Sequence, residues 1–139
     1  MSMAIGPALA RAAEANLGVP FRLHGRDPAS GLDCLGLVAH AFRACGRAAA
    51  PEPPYTLRAG RAARFDGFAR QCGLLSATGD PEPGDIVMLG TGPAQIHLAI
   101  ISPGGAGLIH AHAGLRRVVE QPFPSPWPVL RHWRLQQGN

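Results

Sequence analysis

Long apolar runs are missing from this chain, and so is any basic run at its start. The opening "MSMAIGPALARAAEANLG" has neither the charged beginning and apolar centre of a secretory signal nor the length of a membrane span. Synthesis in the cytoplasm is the expectation, with no membrane partner, and action outside the cell would need delivery by other means. Lysine is absent altogether. All 13 cationic side chains are arginine, scattered except for Arg116-Arg117, with no basic helix and no alternation of arginine with aromatics. Nucleic acid is therefore not an expected partner. The net charge of +4 gives only a mild attraction to anionic polymers such as cell wall. Cysteine is scarce and odd in number: Cys34, Cys45 and Cys72. Three thiols cannot complete a set of intramolecular disulfides. Without a CxxC or a paired Cys/His cluster, no metal site and no cofactor is expected.

What is present is a globular composition, 46% hydrophobic and 16% charged over 139 residues, expected to form a single domain over 1–139. Residues 6–17 are Ala-rich, with Pro7 near the first turn and Gly18 as a stop, and predict a helix. Residues 18–32 read as an extended loop. Asp33 is a good N-cap, and 34–45 then run helically into Gly46. The proline-rich stretch 47–60 predicts a loop. Residues 61–73 predict a further helix with Phe65, Phe68 and Cys72 on one face. From residue 85 the period changes. "DIVMLG", "QIHLAII", "GLIHAHA", "LRRVVEQ" and "VLRHWRL" are short β-branched or apolar runs between Gly/Pro turns, and predict antiparallel strands. The expected fold class is α+β, with N-terminal helices packed on a C-terminal antiparallel sheet of about five strands.

Cys34 stands at the start of a helix, directly behind an aspartate. A free thiol is only a few per cent ionised at neutral pH, and the thiolate is the nucleophile. A helix N-terminus favours an anion there, whereas the charge of Asp33 opposes one unless that carboxylate is spent on capping. A nucleophile at this position also needs an imidazole. His97 lies mid-strand among apolar neighbours, an expensive place for a polar group without a partner or a task. His110 and His112 alternate with Ala111, so both rings are expected on one strand face. A base on one strand oriented by a histidine on its neighbour is what a Cys-His-His triad requires. Each of these residues alone is compatible with simple packing. Cys45 and Cys72 read as packing residues on apolar helix faces, and His40 and His132 as structural or exposed.

Together the residues resemble the NlpC/P60 family of papain-like cysteine peptidases. The resemblance rests on "DCLGLV" at 33–38, Pro83-Gly84-Asp85 before the first strand, "HLAII" from His97, and Ile109-His110-Ala111, in that order. "GVPFRLHGRDPASGLDCLGLV", "PEPPYT", Val118-Val119-Glu120 and "RHWRL" further resemble cell-wall peptidases of phage tails and gene-transfer agents. The resemblance implies a papain-like fold, with Cys34 as nucleophile, His97 as general base and His110 as the orienting third member. It implies cleavage of the peptidoglycan stem peptide between D-γ-glutamate and diaminopimelate, with tail proteins as partners and delivery to the periplasm by the particle. Cys34 is then expected to alkylate well below pH 8, and Cys45 and Cys72 to resist.

Two positions depart from the family pattern. Phe21 stands where many members carry a tyrosine that helps hold substrate or oxyanion, and Leu35 where cellular members usually carry serine. His24, or backbone N–H groups near Cys34, are the candidate replacements for that hydroxyl. Arg22 or Arg26 is a candidate for a stem-peptide carboxylate. Asp33 and His112 complete the candidate set. Two alternatives stay open: a catalytically silent tail-assembly or wall-binding module, and an amidase or acyltransferase acting on another substrate.

Overall fold

The computed structural model describes residues 4–47, 62–92 and 95–136. The predicted "PEPPYT" loop lies outside the described residues. Helix α1, Ile5–Glu14, buries Leu9, Ala10 and Ala13. It ends earlier than its alanine content predicts, because Asn16 turns back to the Ala12 carbonyl and across to His40 Nδ1. Gly18, with a φ of 89°, then hands its N–H to the Val118 carbonyl. A two-residue hairpin follows, β1 (Arg26–Asp27) against β2 (Gly31–Leu32). Helix α2, Cys34–Ala44, presents Leu35, Leu37, Val38, Ala41 and Phe42 to the core. Helix α3, Ala62–Gln71, contributes Phe65 and Ala69.

Six antiparallel strands make the sheet: β3 (Leu74–Ser76), β4 (Ile86–Gly92), β5 (Gln95–Ile101), β6 (Gly107–His112), β7 (Arg117–Pro122) and β8 (Val129–Leu135). Their order is β3-β8-β4-β5-β6-β7. The architecture is the expected α+β one, three helices on an antiparallel sheet, with β3 and the β1–β2 hairpin added to the strands predicted. Strand alternation divides the sheet's residues into two apolar layers. Met88, Ile96, Leu98, Ile100, Ile109 and Ala111 join the helices in the main core. Val87, Leu89, Ala99, Ile101 and Leu108 form a second layer on the other face, under Phe123 and Trp127.

One irregularity positions the site. Strands β5 and β6 are paired only at Ile100–Ile109 and Ile101–Leu108. They then part, and the start of α2 meets them there: the Leu98 N–H is turned to the Cys34 sulfur. His97 and His110 alternate with the helix-facing residues and so belong to the opposite side of the sheet. The parted strands let the thiol and the two rings line one cavity.

The Pro83-Gly84-Asp85 turn is structural. Gly84 has a φ of 85°, and a Cβ there would collide with the Gly6 carbonyl oxygen at the start of α1. Asp85 is buried and accepts hydrogen bonds from the Glu82 N–H, from His132 Nε2 at 2.6 Å and from both Nε and Nη2 of Arg134 at 2.9 Å. That network ties β4 to β8. Among the described residues, no helix is long and apolar enough to cross a membrane.

Candidate active site

Asp33 organises the start of α2. Its Oδ1 accepts from the Gly36 N–H at 2.8 Å, which is the expected cap. The same carboxylate also accepts from Arg26 Nη1 at 3.0 Å and from the His24 N–H at 2.8 Å. The loop before β1 is thereby laid on the first helical turn. Only glycine fits at 36, because a Cβ there would run into the Gly25 carbonyl oxygen. The "DCLGLV" motif therefore has a mechanical meaning. The aspartate caps the helix and the glycine admits the loop, and between them the cysteine is fixed at the helix end.

Cys34 is buried, with 2% of its surface exposed. Burial pushes its thiol up to about 12, and the nearby charge of Asp33 adds to this. The N–H groups of Leu98, Leu35 and Cys34 itself, turned toward the sulfur, oppose the shift without reversing it. Desolvation outweighs the helix N-terminus here.

His97 Nε2 lies 2.8 Å from His110 Nδ1, with the rings edge to face. His110 is fully buried, and its Nε2 lies 2.7 Å from Gln121 Oε1. The indole of Trp127 stands edge-on to His110, with centroids 6.0 Å apart. Burial lowers His97 to about 3, with the charges of His110 and then His112 acting in the same direction. Burial likewise lowers His110, although its hydrogen bond to Gln121 partly offsets the effect. Burial thus favours the neutral form of the thiol and of both imidazoles.

A cavity of about 420 Å³ brings together Cys34, His97 and His110, and its lining includes Phe21, Asp33, His112 and Trp127. His112 is the weaker rival for contact with His97. Its Nδ1 accepts from the Leu115 N–H at 3.0 Å, within the turn after β6. Arg22 and His24 are not among the residues that line this cavity. The His24 N–H is spent on Asp33, and Arg26 is paired with the same carboxylate. Gln121, Trp127 and Leu23 carry no motif in the sequence, and the structure adds them to the site. Among the described residues, no group of three or more His, Cys, Asp or Glu side chains is arranged to hold a metal ion.

With this geometry in hand, the similarities to known proteins are informative. The chain is similar in structure to NlpC2 from Trichomonas vaginalis, with a TM-score of 0.70 and 22% identity over 96% of this chain and 49% of that one. It is also similar to the peptidoglycan hydrolase RipB from Mycobacterium tuberculosis, with a TM-score of 0.63 and 20% identity over 96% and 66% of the two chains. For the NlpC/p60 domain of the peptidoglycan hydrolase SagA the values are 0.59 and 23%, over 89% and 97%. At these identities the likeness establishes the fold. The chain spans about half the length of NlpC2. No curated protein matches it. Residues 18–129 match the NlpC/P60 family profile, well over half of the 139 residues, and the chain belongs to that family.

Proposed function

We propose that the protein is a cysteine peptidase that hydrolyses an amide bond in the peptidoglycan stem peptide, through Cys34, His97 and His110. The observation that carries this reading is the contact of His97 Nε2 with His110 Nδ1, in the cavity that Cys34 also lines. His97 Nε2 is occupied by that contact, which leaves Nδ1 to receive the thiol proton. The sulfur then attacks the carbonyl carbon, and the oxyanion meets the Cys34 N–H at the helix end. His97 returns the proton to the leaving amine as the C–N bond breaks. Water attacks the resulting thioester, giving one proton to His97 and releasing the carboxylic acid and the Cys34 sulfur, which recovers that proton.

Each charge alone is disfavoured in the buried site. Thiolate and imidazolium formed together keep it neutral and attract each other, so transfer within the pair is the accessible charge separation. Peptidoglycan as substrate is supported by family membership and by two similar structures that are peptidoglycan hydrolases; the D-γ-glutamyl–diaminopimelate bond as target rests on the family resemblance of the sequence. Delivery by a phage-like tail rests on the resemblance of residues 18–38 and 118–120 to that subgroup.

A silent binding module is the second reading, favoured by Phe21, which lines the cavity without the hydroxyl usual there. Incubation with purified diaminopimelate-type peptidoglycan, followed by mass spectrometry of the products, separates the two. Fragments beginning at diaminopimelate, absent with Cys34→Ala, are expected. No release by folded wild-type protein would reject the peptidase.

A further inference from the structure

We propose that Gln121 is a positioning residue that sets the protonation pattern of both site histidines, so that His97 presents an unprotonated Nδ1 for the thiol. This inference rests on the peptidase reading of Cys34 and His97. It follows from one feature of amide chemistry: a side-chain carbonyl oxygen accepts hydrogen bonds and never donates them.

Gln121 Oε1 lies 2.7 Å from His110 Nε2, so that nitrogen carries the hydrogen and donates it. A neutral imidazole bears one N–H, and His110 Nδ1 is then an acceptor. His97 Nε2, 2.8 Å away, must therefore be the donor in the contact between the rings. A neutral His97 protonated at Nε2 has its lone pair on Nδ1. Three groups on three adjacent strands, β5, β6 and β7, thus form a directed chain that ends in a base. Run in reverse, with the glutamine amide donating, the hydrogens would sit on Nδ1 of both rings. His97 could then take no proton from Cys34 until it had lost its own. Only one sense of the chain gives a working site, and a single neutral residue on the edge strand selects it.

Burial makes the selection matter. His110 is fully buried and shielded on one side by the Trp127 edge. The titratable groups lining the cavity with the two rings are Cys34 from α2, Asp33 at its N-cap and His112 from β6. None of them is hydrogen-bonded to His110 Nε2, which leaves Gln121 as its described partner.

The test uses protein with 15N-labelled imidazoles, in which long-range 1H–15N spectra show which nitrogen of each ring is protonated. In the wild type, His110 and His97 are both expected to carry hydrogen on Nε2. In Gln121→Leu the preference is expected to be lost, and kcat on a stem-peptide substrate to fall about 10- to 100-fold with KM little changed, a smaller loss than the ~10⁴-fold of an enforced wrong tautomer. Gln121→Glu keeps an acceptor at the same place. It is expected to restore the Nε2 pattern and most of kcat, while moving the acidic limb of the pH profile upward, because a carboxylate favours protonated imidazole. Wild-type His110 protonated on Nδ1 would overturn the proposal. So would Gln121→Leu with unchanged tautomers and unchanged kcat. Wild-type protein with the expected tautomers but no turnover would instead count against the peptidase reading, because the spectra do not depend on turnover.

Discussion

Two histidines of the same sheet have opposite surroundings. His132, on β8, bonds to the buried carboxylate of Asp85, which is also gripped by Arg134. Burial alone would raise that carboxyl; Arg134, the Glu82 N–H and His132 outweigh it and hold Asp85 below the ordinary carboxylate range. His110, on β6, lies between a neutral imidazole and a neutral amide. A fixed charge makes the first cluster a clamp between strands. Neutral partners hold the second by hydrogen bonds alone. The difference teaches that burial and hydrogen bonding are common to both histidines, whereas only the His110 set borders the cavity that Cys34 lines.

The sharpest way to break the comparison is to exchange the consequences of damage at the two places. His97→Ala is expected to lower kcat by about 10³-fold or more, and His110→Ala by about 10²- to 10³-fold, with folding little affected. His112→Ala should change kcat only a few-fold, since its Nδ1 serves the Leu115 turn. Steady-state kinetics on a stem-peptide substrate decide this, and a larger loss at His112 than at His110 would move the orienting role.

Asp85→Ala should do the reverse. It removes the acceptor of four hydrogen bonds and costs about 2–3 kcal/mol, with kcat of the folded protein unchanged within a few-fold. Urea unfolding monitored at Trp133, which is buried and paired to β4, reads this directly.

A gentler probe is pH. The folded-state value of His97 is depressed, from 6.5 to about 3, so its neutral form contributes stability above pH 6.5 that is lost as pH falls toward 3. Between pH 7 and 4.5 the loss is expected to be about 2 kcal/mol, with His110 adding in the same direction. His97→Gln should flatten this slope, and an unchanged slope would show that His97 is not held neutral.

Much of this fold was legible because its signals are local. Asp33 reads as a cap from its place before an apolar helical run, and the strands announce themselves by β-branched runs between Gly/Pro turns. Strand β3 was not legible: Leu74–Ser76 is too short for alternation and is defined by pairing with the end of β8. Cys34, His97 and His110 stood out by residue type and order, and the structure brings the three to one cavity. Gln121 was not, since a lone polar residue in an edge strand looks solvated, and its approach to His110 depends on cross-strand register. The burial of the thiol was not legible either, because it arises from β5, β6 and α2 packing together.

The most direct test is intact-mass analysis of an acid-quenched reaction with a stem peptide, followed by mapping of any adduct. Nucleophilic catalysis at this site predicts a mass increase equal to the acyl half of the substrate, carried by the peptide containing Cys34 and absent in Cys34→Ala. Cleavage by Cys34→Ala at the wild-type rate, or an adduct on Cys45 or Cys72, would contradict it.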